Sequence, residues 1–359
     1  MTNTESDTED LDGDLMELVT VHGRDFQRYS IDRRIYFGPV DDDEMERLEL
    51  QQRIFNLVFD DRLIFPPISQ PQKVLDCGFG CGAWAMEVAE QHPYCKVIGI
   101  DISPHMRPDD APENLYLQVD DLNKSFTFQP NRFDLVHSRL VASGINRSRW
   151  PSYIRDLVRQ VICNDKNSVS PSSVTKRGGW VQMIELYLNV QSDNGSITDQ
   201  NALRQWSTKY KAALDDLKDM TIGTRLGNLM TAAGLVEVDT KMMQLPLSAW
   251  SSVTNLRQVG ELNRQNSRRL LSSVALYPLT QRLHMSRQEF EALVDRAREE
   301  IDDLSLKAPG TLPSDGNPEV LVEDVLDSSR GVRYSNPRQF ALGTEDVAPF
   351  LHFEPFRKI

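Results

Sequence analysis

Cysteine, basic runs and long apolar runs are all scarce in this chain of 359 residues. Four cysteines at irregular spacing exclude a disulfide framework and point to reduced thiols in a cytoplasmic or nuclear compartment. Cys77 and Cys81 tempt a metal reading, but no His or Cys pair completes a ligand set, so no metal is expected. No apolar run approaches the ~18 residues of a membrane helix. The acidic N-terminus, Met1 to Asp14, lacks a signal-peptide core, so no membrane partner is expected. No basic run of about 5–8 residues occurs. A formal net charge of −13 argues against a nucleic-acid surface, which would show a basic stripe.

What the chain does have is Val74-Leu75-Asp76-Cys77-Gly78-Phe79-Gly80-Cys81-Gly82. This reads as an apolar strand, an acid, three alternating glycines and then a helix, Ala83 to His92. Glycine at every second position lets the backbone turn sharply and lets a ligand touch it without Cβ interference. The helix behind the turn presents free N–H groups. Such a first βα turn is where doubly wound sheets bind their ligands. The pattern is D-x-G-x-G-x-G and not the dinucleotide G-x-G-x-x-G. A pyrophosphate disfavours a nearby carboxylate, whereas Asp76 suits a ligand carrying an ammonium group. S-adenosylmethionine (SAM) is such a ligand, and Gly78, Gly80 and Gly82 are expected around its aminocarboxypropyl group. S-adenosylhomocysteine (SAH) is then the product.

Two further strands end in acids. Lys96 to Asp101 places Asp101, with Ile102 beside it, where a carboxylate accepts both ribose hydroxyls. Leu115 to Asp121 ends in Asp120 and Asp121, one of which can accept from the adenine amino group while Leu122 packs beside the ring. Arg132 to Arg139 and Gly178 to Glu185 complete five strands. Strands alternating with helices give the fold class: α/β, with a doubly wound, mostly parallel sheet.

With these residues, the chain resembles the class I SAM-dependent methyltransferases, specifically the fungal LaeA-like group. The resemblance covers roughly Arg33 to Leu304 and the last ten residues. Its carriers are Asp41-Asp42-Asp43-Glu44 leading into Arg47-Leu48-Glu49-Leu50-Gln51, the glycine turn with Trp84-Ala85, Gly99 to Pro104, His137-Ser138-Arg139 and Gly178 to Val181. It departs in the cysteines of the turn, in a longer loop from Asn164 to Arg177, and in a polar insertion. The resemblance implies a seven-stranded Rossmann-like sheet with an antiparallel last strand, a helical cover on the substrate side, and Asp121 as the adenine acid. It also implies that the segment holding Arg33, Arg34 and Tyr36 closes over the cofactor, so that an arginine or Tyr36 meets the SAM carboxylate.

The organisation follows: an acidic disordered tail (1–20), an N-terminal helical segment (21–70), a SAM-binding domain (71–245), a helical substrate cover (246–306), a polar insertion (307–346) and a final strand (347–359). Asp41 to Phe59 is predicted helical, with Met45, Leu48, Phe55 and Val58 inward. Trp150-Pro151 opens another helix. Ser286 and Glu289 form a capping box.

Methyl transfer from a sulfonium needs an aligned acceptor, excluded water and sometimes a proton acceptor. His137 and Glu185, at the ends of strands four and five, are the candidate bases. His137 and Ser138 are equally candidates for cofactor-pocket residues. Trp206, Tyr210, Met242, Met243, Trp250 and Tyr277 divide between core and substrate cleft. Three functions stay open: methylation of a small molecule in fungal secondary metabolism, a LaeA-like regulator working in a protein complex, and a fold that keeps SAM as a structural cofactor for another reaction. The partners expected are a small-molecule substrate and either a second copy of the chain or a regulatory complex.

Overall fold

The computed structural model describes residues 13–130, 132–161, 178–188, 190, 197–251, 253–307 and 350–355. A short hairpin, β1 (Leu18–Val21) and β2 (Arg24–Gln27), leads into α1 (Arg28–Asp32) and then α2 (Asp42–Val58). The alternating core follows: β3 (Lys73–Cys77), α3 (Ala83–Gln91), β4 (Lys96–Asp101), β5 (Leu115–Val119), β6 (Leu135–Arg139), α4 (Trp150–Gln160) and β7 (Trp180–Tyr187). The remaining elements are α5 (Ala202–Leu214), α6 (Leu226–Ala232), β8 (Lys241–Gln244), α7 (Thr254–Ser273), α8 (Arg287–Asp302) and β9 (Phe350–Pro355).

The strands form a seven-stranded sheet in the order β5-β4-β3-β6-β7-β9-β8. β5, β4, β3, β6 and β7 run parallel, and β9 enters antiparallel to both β7 and β8. The strand order reverses between β3 and its two neighbours, β4 and β6. That switch point is where an open parallel sheet leaves a crevice outside its carboxyl ends.

Apolar packing covers both faces. α4 carries proline in its first turn, where the missing N–H costs nothing. It drives Trp150, Tyr153, Ile154 and Leu157 against Leu75, Ile100, Val136 and Val181. On the other face α3 packs Trp84, Ala85 and Val88 against Val74, Val97 and Leu135. A separate helical cluster joins α5, α7 and α8 through Trp206, Tyr210, Leu271, Phe290 and Leu293. The Ser286–Glu289 capping box is present at the start of α8.

Three expectations are corrected. Residues 13–20 are not a disordered tail: Leu18–Val21 pairs with Arg24–Gln27, and Val19 and Val21 pack on the helical cluster. α2 does form, with Asp41 as a cap accepting from the Glu44 N–H, but its buried face is largely polar. Glu44, Arg47, Gln51 and Gln52 are buried beside Leu50, Ile54 and Phe55, while Met45, Leu48 and Val58 are half-buried. The reason is that α2 packs on α7 through a buried polar network, with the Glu44–Arg47 pair bonded to Ser273 and Asn266. The segment from Leu235 holds a strand only from Lys241. Residues 1–12, the Asn164–Arg177 loop and the insertion from 308 to 346 lie outside the described residues.

Candidate functional site

The glycine turn forms because its backbone has no alternative. Gly78, Gly80 and Gly82 have φ of +81°, +59° and +78°, a region that residues with a Cβ enter at a cost of about 1–2 kcal/mol. At Gly78 a side chain would also collide with Val141. The turn is anchored by the Gly78 N–H donating to the Ile100 carbonyl at 2.8 Å. α3 then starts without a side-chain cap, so its first N–H groups face outward. Gly78, Gly80, Cys81 and Ala83 line one wall of a cleft of about 940 Å³, its open mouth included.

The acids sit around this cleft. Asp101 lines it and is already held: one carboxylate oxygen accepts from the Gly80 N–H at 3.0 Å, the other from the Ser103 N–H at 2.9 Å. Each oxygen keeps a lone pair for a ligand. Burial raises its pKa against the pull of those N–H groups. Ile102 lines the cleft next to it. Of the acids after β5, Asp121 and its neighbour Leu122 line the cleft, whereas Asp120 does not. Asp120 instead accepts from the Asp121 N–H at 2.8 Å, and Asp121 accepts from the backbone and side chain of Asn123. Asp76 lies beneath the turn, 3 % exposed. Burial pushes its carboxyl up to about 7, opposed by the nearby Arg139 guanidinium.

The candidate bases lie elsewhere. His137 is buried, does not line the cleft, and stacks on Trp84 with ring centroids 3.8 Å apart. Its Nδ1 meets the Gln182 amide at 3.2 Å, and its Nε2 has no partner. Burial drives its pKa well below the ordinary value, so the ring is neutral. β6 alternates its side chains, so Ser138 faces the opposite side and bonds the Tyr153 hydroxyl at 2.8 Å. Neither residue lines the cleft, where both were expected.

Glu185 does not line the cleft either, but it acts on the cleft wall. One of its carboxylate oxygens lies 2.8 Å from the Val141 N–H, which donates to it. This fixes the turn after β6, where Leu140 is held at φ +57°. Leu140, Val141, Ser143, Gly144 and Ile145 from that turn all line the cleft. Burial pushes the Glu185 carboxyl up to about 8. An acid raised in the folded state stabilises fully below its unfolded pKa of about 4.3, and that contribution is lost as pH rises through about 8. Glu185→Gln should therefore fold normally and lose less stability than wild type between pH 6 and 9. Glu185→Ala, which strands the Val141 N–H, should be destabilised by about 1–3 kcal/mol. Urea melts across this pH range check both.

The roof comes from the N-terminal segment. Ile35 and Tyr36 line the cleft, with Leu48 and Gln51 of α2 beside them. The Tyr36 ring lies so close over Gly38 that any Cβ there would collide with it. Burial pushes the Tyr36 phenol up. Arg33 and Arg34 are exposed and do not line the cleft. Sequence reasoning missed Lys218, which is buried. Its ammonium donates to the carbonyls of Ile35 (2.6 Å) and Gly144 (3.0 Å) and to Asn146 Oδ1 (2.8 Å). Roof and floor are thereby tied together, and burial lowers its pKa to about 7. Arg139 also lines the cleft; it was legible as a motif residue but not as part of the site.

Trp206, Tyr210 and Tyr277 belong to the helical core; Trp206 and Tyr210 stack at 5.2 Å, and Tyr277 stacks on Phe37 at 5.7 Å. Trp250 does not line the cleft. The side chains of Met242 and Met243 lie outside the described residues. Among the described residues, no group of three His, Cys, Asp or Glu could hold a metal, and no helix is long and apolar enough to cross a membrane.

The chain is similar to known methyltransferases and regulators. A methyltransferase domain model matches residues 74–161, from β3 through α4. The secondary metabolism regulator laeA of Aspergillus fumisynnematus is 26 % identical over 243 residues, which is 66 % of this chain and 60 % of that protein. The chain thus spans well under two thirds of that relative's length. The methyltransferase pytC of Aspergillus terreus is 24 % identical over 301 residues, covering 83 % of this chain and 87 % of pytC. Among solved structures, a phosphoethanolamine N-methyltransferase of Haemonchus contortus in complex with SAH aligns over 84 % of this chain and 52 % of that one, at 14 % identity and a TM-score of 0.42.

Proposed function

We propose that this chain, a LaeA-like protein with a class I methyltransferase fold, transfers a methyl group from SAM to a small-molecule acceptor in fungal secondary metabolism. The observation that carries the reading is the convergence of the left-handed glycine turn, Asp101 and Asp121 on one cleft, with Asp76 buried beneath the turn. An adenosine bearing a cationic side chain matches that donor and acceptor set. SAM supplies an electrophilic methyl group on its sulfonium. Asp101 holds the ribose hydroxyls, Asp121 accepts from the adenine amino group with Leu122 against the ring, and Asp76 balances the ammonium.

The chain's own contribution is alignment and exclusion of water. With His137 and Glu185 outside the cleft, neither takes the acceptor's proton directly. Ile35, Tyr36, Leu48, Leu140 and Val141 form the apolar wall against which an acceptor is held.

The test is incubation of the full chain with methyl-labelled SAM and fractionated fungal metabolites, read by mass. A small molecule that gains one labelled methyl group supports the reading. A second reading, a LaeA-like regulator, is supported by the regulator among its relatives. It predicts label on a protein acceptor and none in the metabolite fraction. SAH bound with no transfer to either fraction would point to a cofactor kept for another reaction.

A further inference from the structure

We infer that the side-chain amide of Gln51 and the guanidinium of Arg139 form a two-donor seat for the α-carboxylate of the cofactor, preset by a buried hydrogen-bond rail from α7. This rests on the SAM reading above and assigns a part of the site that the resemblance places at Arg33, Arg34 or Tyr36.

Gln51 is 7 % exposed and lines the cleft. Its Oε1 accepts from Arg47 Nη1 at 2.9 Å. A guanidinium only donates, so the oxygen must face Arg47 and the amide N–H groups must face away. Their nitrogen, Nε2, has no partner among the described residues. Arg47 cannot turn aside. Its Nε and Nη2 grip Glu44 at 3.0–3.1 and 2.7 Å, and its Nη1 also donates to Asn266 on α7 at 3.0 Å. Glu44 in turn accepts from the Ser273 hydroxyl, and Asn266 donates to Asn263, which donates to the Pro246 carbonyl. Every link is buried, so the direction of each donor is fixed before a ligand arrives.

The next residue, Gln52, sets Arg139. Its amide nitrogen donates to Glu87 and Asn56, so its oxygen is left to accept from Arg139 Nη2 at 2.7 Å. The Phe55 ring lies under the guanidinium, 4.7 Å away. Nε and Nη1 of Arg139 have no partner among the described residues, and the side chain has no carboxylate within ion-pair distance. Asp76 and Glu87 act on the guanidinium only from beyond ion-pair distance, so its free N–H groups at the cleft suit an anion from outside the chain. In the proposed ligand the carboxylate is the group that supplies it, and a carboxylate takes donors from two sides in one plane.

Calorimetry with two probes tests this: SAH, and its decarboxylated analogue 5′-S-(3-aminopropyl)-5′-thioadenosine, which keeps the ammonium. Gln51→Glu keeps an oxygen for Arg47 and replaces the donor with an acceptor. It should weaken SAH by about ten- to a hundred-fold and leave the analogue within about three-fold or tighter. Arg139→Met should weaken SAH similarly and spare the analogue. Arg139→Lys, which keeps the charge, should recover part of the loss and guards against a misfolded variant. Arg47→Met, which frees the Gln51 amide to flip, should weaken SAH alone by a smaller factor. Equal losses for both probes, or no loss for either, would overturn the seat. Failure of wild type to bind either probe would instead overturn the SAM reading.

Discussion

Asp101→Ala should weaken SAH binding by about ten- to a hundred-fold, or roughly 1.5–3 kcal/mol. Two losses combine in that figure. The ribose hydroxyls lose a charged acceptor, and the Gly80 and Ser103 N–H groups lose the carboxylate that holds the turn. Asp101→Asn separates them, because its single oxygen can still take one N–H. It should lie between wild type and the alanine variant. Calorimetry with SAH reads the series directly, and an unchanged affinity for Asp101→Ala would move the ribose away from β4.

Trp84→Ala should carry the largest stability cost, about 3–5 kcal/mol. The indole is 4 % exposed, donates to the Leu63 carbonyl at 3.3 Å, and covers the His137 ring. Removing it opens a cavity between α3 and the sheet and exposes a neutral imidazole whose Nε2 already lacks a partner. Against a typical domain stability of about 5–15 kcal/mol, that is a large fraction. The urea midpoint is the measurement. His137→Ala should behave in kind, losing stability while the folded fraction keeps its turnover. A fall of about 10²–10⁴-fold in turnover with folding intact would return His137 to the chemistry as a general base.

These two residues show what was and was not legible in the sequence. The glycine turn, the acid after each of the next two strands and the doubly wound order could be read, because backbone conformation and strand ends fix them locally. The proline opening α4 and the Ser286 capping box were legible for the same reason. The role of His137 was not. Its position at a strand end is a matter of sequence, but the face its side chain takes depends on register with Gln182 and on Trp84 from α3. The polar face of α2 was misread because apolar periodicity assumes an apolar partner, and α2 packs on a cleft and on Asn266 of α7. Lys218 carried no signal, since its three acceptors come from Ile35, Gly144 and Asn146, far away in sequence.

β9 has a consequence for the birth of the protein on the ribosome. β8 pairs with β9 alone, and β9 sits between β7 and β8. The parallel half of the sheet and the whole cleft wall are synthesised well before Phe350 emerges. Until then the outer edge of β7 carries unpaired N–H and C=O groups, a template for any passing strand. Closing that edge requires a segment more than 160 residues downstream of β7, and such distant pairings form slowly. The nascent chain thus passes through a stage with a nearly complete binding cleft and an open sheet edge, when a chaperone or an early ligand has most to contribute.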